Sequence, residues 1–124
     1  MVTARDIMRT INDYAGVHDT LVDIARKMRD LHVSSLPICG DEGELAGVVT
    51  DHAIVDGIAD GGDPSQLRAV DVLGGLTPTV EADASIEHAL LTMATLRVRK
   101  LPVLEDGRWV GMLAHDDVAR SIGG

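Results

Sequence analysis

Slid along itself by 65 positions, the chain meets a second copy of itself. Ala4 falls on Ala69, Asp6 on Asp71, Met28 on Met93, Leu31 on Leu96, Val33 on Val98, Leu36 on Leu101 and Pro37 on Pro102, with no gap. Ile7/Val72, Thr20/Ser85 and Leu21/Ile86 are conservative matches in the same frame. One deletion in the following turn moves the offset to 64, and Gly47 then meets Gly111, Ile54 meets Val118 and Ile58 meets Ile122. Two copies of one unit of roughly 55 to 60 residues account for the sequence, and neither is large enough to bury a core alone. The loop-like run Asp60-Gly61-Gly62-Asp63-Pro64-Ser65 joins them. The expected division is residues 1–60, a linker at 61–68, and residues 69–124.

Each copy carries the same order of local signals. A short amphipathic lead-in (Ala4 to Met8, Ala69 to Leu73) precedes an extended piece near Tyr14 to Val17 or Thr79 to Glu81. Thr20 and Ser85 then stand as helix N-caps, their hydroxyls suited to accept the first free amide hydrogens. Leu21, Ile24, Ala25, Met28 and Leu31 form an apolar stripe at helical spacing, repeated by Ile86, Ala89, Leu90, Met93 and Leu96. Leu36 to Cys39 and Leu101 to Leu104 read as strands, with Pro37 and Pro102 expected near a strand start or edge. Turns follow at Gly40 to Gly43 and Glu105 to Gly107, then second strands at Leu45 to Val49 and Trp109 to Leu113, then helices at Asp51 to Ala59 and His115 to Ile122. The unit is β-α-β-β-α, and the fold class is mixed α/β (α+β).

Composition excludes several classes of function. Eleven basic against twenty acidic residues give a net charge of −9, so nucleic acid is not expected as a partner. That charge leaves a small anionic ligand open, because a pocket responds to its local groups. The apolar runs are too short to span a membrane and no signal peptide is visible, so a cytoplasmic location is expected. The single cysteine, Cys39, rules out an intrachain disulfide and a multi-cysteine metal site. It reads as a small core residue, with a reactive thiol or a bridge to a second subunit as the other readings. No nucleophile elbow, phosphate loop or dinucleotide fingerprint occurs, so no catalytic residues are assigned and the chain is not expected to be an enzyme.

The ordered set ARDIM, VSSLPI, VRKLPV, GVVTDHAI and GMLAHDDV resembles a tandem pair of CBS domains, a Bateman module, over essentially the whole chain. The short form is similar to small actinobacterial CBS pairs of the hypoxia-response kind, which implies a stress-response role. The resemblance implies a pseudo-two-fold packing of the two units, a homodimer, and action on an unidentified effector protein. It implies an adenosine-containing ligand (AMP, ADP, ATP, sometimes S-adenosylmethionine) in a cleft between units, with no cofactor required. The implied signature is glycine, two apolar residues, a hydroxyl residue and, three positions on, an aspartate. The hydroxyl would help hold phosphate at a helix amino end. The aspartate would accept from both ribose hydroxyls.

Carried over residue by residue, the first copy supplies Gly47, Val48, Val49 and Thr50 but has Ala53 where the acid belongs. The second supplies Gly111, Met112, Leu113 and the acid Asp117 but has Ala114 at the hydroxyl position. Each lost contact weakens a site by about 1 to 3 kcal/mol. The better expected site therefore comprises Asp117, Gly111, Met112 and Leu113, with Thr77 and Thr79 toward adenine. The weaker one comprises Gly47, Val48, Thr50 and Tyr14, within the run Asn12-Asp13-Tyr14. Arg97, Arg99 and Lys100 are candidate phosphate contacts, or the solvated basic end of a helix. His52 and His115 are candidate phosphate contacts or capping groups, and no metal site is assigned to them. The alternative to a ligand sensor is a structural, ligand-free homodimer whose pockets have degenerated.

Overall fold

The computed structural model describes residues 1–10, 13–73 and 77–123. Its elements follow the repeat. α1 (Ala4–Ile7), β1 (Ala15–Gly16), α2 (Leu21–Leu31), β2 (Ser35–Cys39), β3 (Leu45–Thr50) and α3 (Asp51–Ala59) form the first set. α4 (Ala69–Val72), β4 (Val80–Glu81), α5 (Ile86–Leu96), β5 (Lys100–Glu105), β6 (Arg108–Ala114) and α6 (His115–Gly123) form the second. The mixed helix and strand class read from the sequence is the one adopted.

The main helices start where their hydroxyl caps stand. Thr20 Oγ1 accepts from the Asp23 amide at 3.2 Å and Ser85 Oγ from the His88 amide at 3.1 Å. Both helices stop on a left-handed residue, His32 and Arg97, each at φ 56°. These two positions are equivalent in the repeat.

Each set builds a three-stranded sheet, ordered β1-β2-β3 or β4-β5-β6. The outer strand is antiparallel and the short first strand parallel to the middle one. Pro37 and Pro102 thus lie in middle strands, not at an edge. They fit because β1 reaches only Ile38 and Cys39, and β4 only Val103 and Leu104. The proline positions face no ladder partner on that side.

The chain divides into two compact bodies, Asp13–Thr77 and Met1–Asn12 with Pro78–Gly124. Their boundaries differ from those of the sequence repeat, because each lead-in helix joins the body built by the other copy. In the body holding β4 to α6, the Ala4 amide donates to the Ala84 carbonyl at 2.8 Å and that of Arg5 to Ala82 at 3.0 Å. In the body holding β1 to α3, the Ala69 amide donates to the Asp19 carbonyl at 2.9 Å and that of Val70 to Val17 at 3.1 Å. Nothing in the spacing of a four-residue helix says which copy it will join.

The cores are built by equivalent residues. Leu21, Ile24 and Met28 pack over Leu36, Ile38 and Val49, with Ile54 and Ala69. Ile86, Ala89 and Met93 pack over Leu101, Val103 and Leu113, with Val118 and Ala4. Both helical methionines fill core. Ala25 and Leu96, placed on the same stripes by spacing, are exposed.

Candidate functional site

In both copies an outer strand runs straight into a helix, β3 into α3 and β6 into α6. The junction is fixed by equivalent backbone bonds: the Asp51 amide donates to the Ser34 carbonyl at 2.9 Å and the His115 amide to Arg99 at 2.8 Å. At the first junction, Thr50 Oγ1 accepts the Ala53 amide at 3.1 Å. The hydroxyl read as a phosphate group is thus the N-cap of α3, and one of its lone pairs is already used.

The glycine that opens each signature has a packing reason. A β-carbon on Gly111 would lie 2.8 Å from the Arg9 carbonyl oxygen and 2.8 Å from the Met8 sulfur. One on Gly47 would lie 2.8 Å from Leu73 Cδ2 and 3.1 Å from Thr77 Oγ1. In each body the glycine makes room for the segment that follows the lead-in helix. Thr77, grouped with Asp117 on the sequence, lies beside Gly47 within the Asp13–Thr77 body. Thr79 belongs to the body that holds Asp117.

Met112 and Leu113 are both buried, and Leu113 is part of the core. Met112 also exchanges two backbone hydrogen bonds with Arg9, at 2.9 and 3.0 Å. Val48 is half-buried, and the Tyr14 ring is exposed while its carbonyl accepts from Lys27 Nζ at 2.7 Å. Asn12, its neighbour in the expected adenine-contacting run, lies outside the described residues.

Asp117 is the most constrained charged group of the site. Arg9 Nε donates to its Oδ2 at 3.0 Å and Arg9 Nη2 to its Oδ1 at 3.2 Å, and Arg120 also pairs with Oδ1. The Asp117 side chain is only 12% exposed, whereas that of Arg9 is 70% exposed. The forked hydrogen bond from Arg9 holds the carboxyl below its ordinary range, and the same partnership raises the Arg9 guanidinium. Neither arginine was among the expected site residues. The repeat holds the signal that finds Arg9: Arg9 aligns with Gly74 as Asp117 aligns with Ala53, so the basic and acidic partners are absent together from the other copy.

The remaining basic candidates divide in the same way. Arg99 Nη2 donates to Asp116 Oδ1 at 2.6 Å and lies 3.4 Å from His115 Nδ1. His115 first, then the charge of Arg99, holds the Asp116 carboxyl low. Arg97 ends α5, and Lys100 is exposed at the start of β5. His52 Nε2 sits 3.4 Å from Asp56 one turn on. Among the described residues, no group of three or more histidines, cysteines or acids could hold a metal ion.

At the Ala53 position the surface opens into a groove of about 450 Å³, lined in part by Ala53, Asp56, Gly57, Asp60, Asp71 and Val72. Its described lining carries three carboxylates and no cation, a poor setting for phosphate. The Asp117 junction is flanked instead by the cations Arg9 and Arg120.

The chain matches the model of the CBS domain over residues 4–60 and 75–124. It is 40% identical over 123 residues to Hypoxic response protein 1 of Mycobacterium tuberculosis (strain CDC 1551 / Oshkosh), covering 98% of this chain and 86% of that protein. A crystal structure of Hypoxic Response Protein I with two coordinated zinc ions superposes with a TM-score of 0.88 at 40% identity, over 96% of this chain and 98% of that one. The crystal structure of CBSX2 in complex with AMP shares the fold, with a TM-score of 0.83 at 21% identity, over 98% of this chain and 96% of that one. No helix among the described residues is long and apolar enough to cross a membrane. The twofold repeat, its two equivalent strand-to-helix junctions and these likenesses place the chain in the CBS-domain family, as a tandem CBS pair.

Proposed function

We propose that this CBS pair is a regulatory module that takes an adenosine-containing ligand (AMP, ADP or ATP) at the Asp117 junction and passes the change to a partner protein. The observation that carries the reading is Asp117 itself: a nearly buried carboxylate at the first turn of α6, flanked by two arginines. A carboxylate can accept from a vicinal diol through both oxygens, and guanidinium groups suit phosphate. CBSX2, a protein of the same fold, was crystallised with AMP. The module is read as a cytoplasmic homodimer with no catalytic activity of its own.

The test is thermal denaturation with AMP, ADP, ATP, NAD and S-adenosylmethionine at millimolar concentration. A ligand that binds the native state raises the melting temperature by linkage. The shift should appear with an adenine nucleotide and vanish in Asp117→Ala. Thr50→Ala should matter less. No shift with any of the five ends the sensor reading.

A second reading is favoured by one observation. Both oxygens of Asp117 already have guanidinium partners within the chain. On that reading the module is a ligand-free interaction scaffold, and the same titration shows no response while light scattering still reports a dimer. Zinc belongs in the screen because the related Hypoxic Response Protein I was solved with it.

A further inference from the structure

We propose that Arg9 gates the Asp117 acid, so that a ribose diol and the Arg9 guanidinium compete for one carboxylate. This rests on the reading of Asp117 as the ribose-binding group and concerns how access to that group is set.

The competition follows from the geometry. A carboxylate offers about four acceptor lone pairs. Arg9 takes one on each oxygen, Nε on Oδ2 and Nη2 on Oδ1, and Arg120 takes another on Oδ1. The two donors of a cis-diol therefore do not fit until the Arg9 fork leaves. Arg9 is also built to stay nearby. Its backbone exchanges two hydrogen bonds with Met112, and the missing β-carbon of Gly111 lets that crossing form. Only the side chain has to move, and it is mostly exposed, so it can swing into water at small cost. Asp117 is mostly covered and keeps Arg120 on Oδ1, so Oδ2 is the oxygen that needs a replacement donor when Arg9 leaves.

The repeat supports a paired role. Where the acid is Ala53, the residue matching Arg9 is Gly74. An arginine kept only for solubility or general charge would have no reason to be absent together with the acid.

Two consequences follow. The apparent affinity for a diol is reduced by the fraction of molecules in which Arg9 is engaged. A displaced Arg9 remains tethered beside the ligand and offers its fork to a phosphate, so nucleotides gain over nucleosides.

Calorimetric titration with adenosine, 2′,3′-dideoxyadenosine and AMP tests this on wild type, Arg9→Gln, Arg9→Lys and Arg9→Gln/Asp117→Asn, each first checked by its melting curve. Arg9→Gln should bind adenosine about tenfold more tightly than wild type, and the preference for AMP over adenosine should shrink by a similar factor. Arg9→Lys, a point contact in place of a fork, should fall between. The gain should be absent for dideoxyadenosine and in the double variant. Unchanged or weaker adenosine binding in Arg9→Gln overturns the gate. If AMP still binds wild type through Asp117 in that case, the sensor reading survives. If no variant binds any of the three, both fall.

Discussion

Arg9 crosses β6 so closely over Gly111 that a β-carbon there would sit 2.8 Å from the Arg9 carbonyl oxygen. That oxygen accepts the Met112 amide at 3.0 Å, so it cannot retreat without breaking one of the two backbone bonds of the Arg9–Met112 bridge. At Gly47 the matching obstruction is the end of the Leu73 side chain, which can rotate. Gly111→Ala should therefore destabilise the chain by about 1 to 3 kcal/mol and Gly47→Ala by less. Urea denaturation of the two variants measures the order. A larger loss at Gly47 would show that Leu73 is held as firmly as the Arg9 backbone.

Acid should erase the contribution of Asp117. Its folded carboxyl lies below the ordinary value, chiefly through the Arg9 hydrogen bond. The stabilisation is complete above the unfolded carboxyl range, roughly pH 4, and is lost as the pH falls through the lower folded value. Asp117→Asn lacks it at every pH. The difference in melting temperature between wild type and Asp117→Asn should be constant near neutrality and close as the pH falls below the ordinary carboxylate range. A difference that persists unchanged into acid would mean the pair contributes through shape and not charge.

The local grammar of this chain was legible because each signal lies within one helical turn or one strand. Thr20 and Ser85 cap where a hydroxyl before an apolar stripe should cap, and Met28 and Met93 are core because their spacing repeats that of Leu21 and Ile86. The site was legible only as a set of positions. Arg9 and Asp117 stand 108 residues apart, and no periodicity links them. Thr77 follows α4, so the exchange of lead-in segments places it beside Gly47 of the first copy, a neighbour no spacing announces. Thr50, placed toward phosphate by its position in the signature, also caps α3 by accepting the Ala53 amide. Pairings made across the exchange of α1 and α4 are tertiary facts, and a single sequence carries them only through the joint absence of partners in the other copy.

Cys39 should behave as a core residue. It is 3% exposed at the end of β2, and burial, with a smaller effect from Glu44, pushes its thiol up. The thiolate is the reactive form, so both access and ionisation are suppressed. A thiol-specific chromogenic reagent at neutral pH should label native protein far more slowly than urea-unfolded protein, and non-reducing electrophoresis should show monomer. Rapid native labelling or a covalent dimer band would place this thiol at the surface.

His32 and Arg97 end their helices with the same backbone angles, φ 56° and ψ 43°. An L-residue in that left-handed corner is strained by roughly 1 kcal/mol relative to glycine. Glycine gives back part of this through the greater freedom of the unfolded chain. His32→Gly should therefore raise stability by about 0.5 kcal/mol, seen as a higher urea midpoint with an unchanged slope. Arg97→Gly relieves the same strain but also removes a positive charge from the carboxyl end of α5, where cations are favourable. It should gain less than His32→Gly. Equal gains would mean that the Arg97 charge contributes nothing to the helix end, and a loss at His32 would mean that its imidazole makes a contact worth more than the strain.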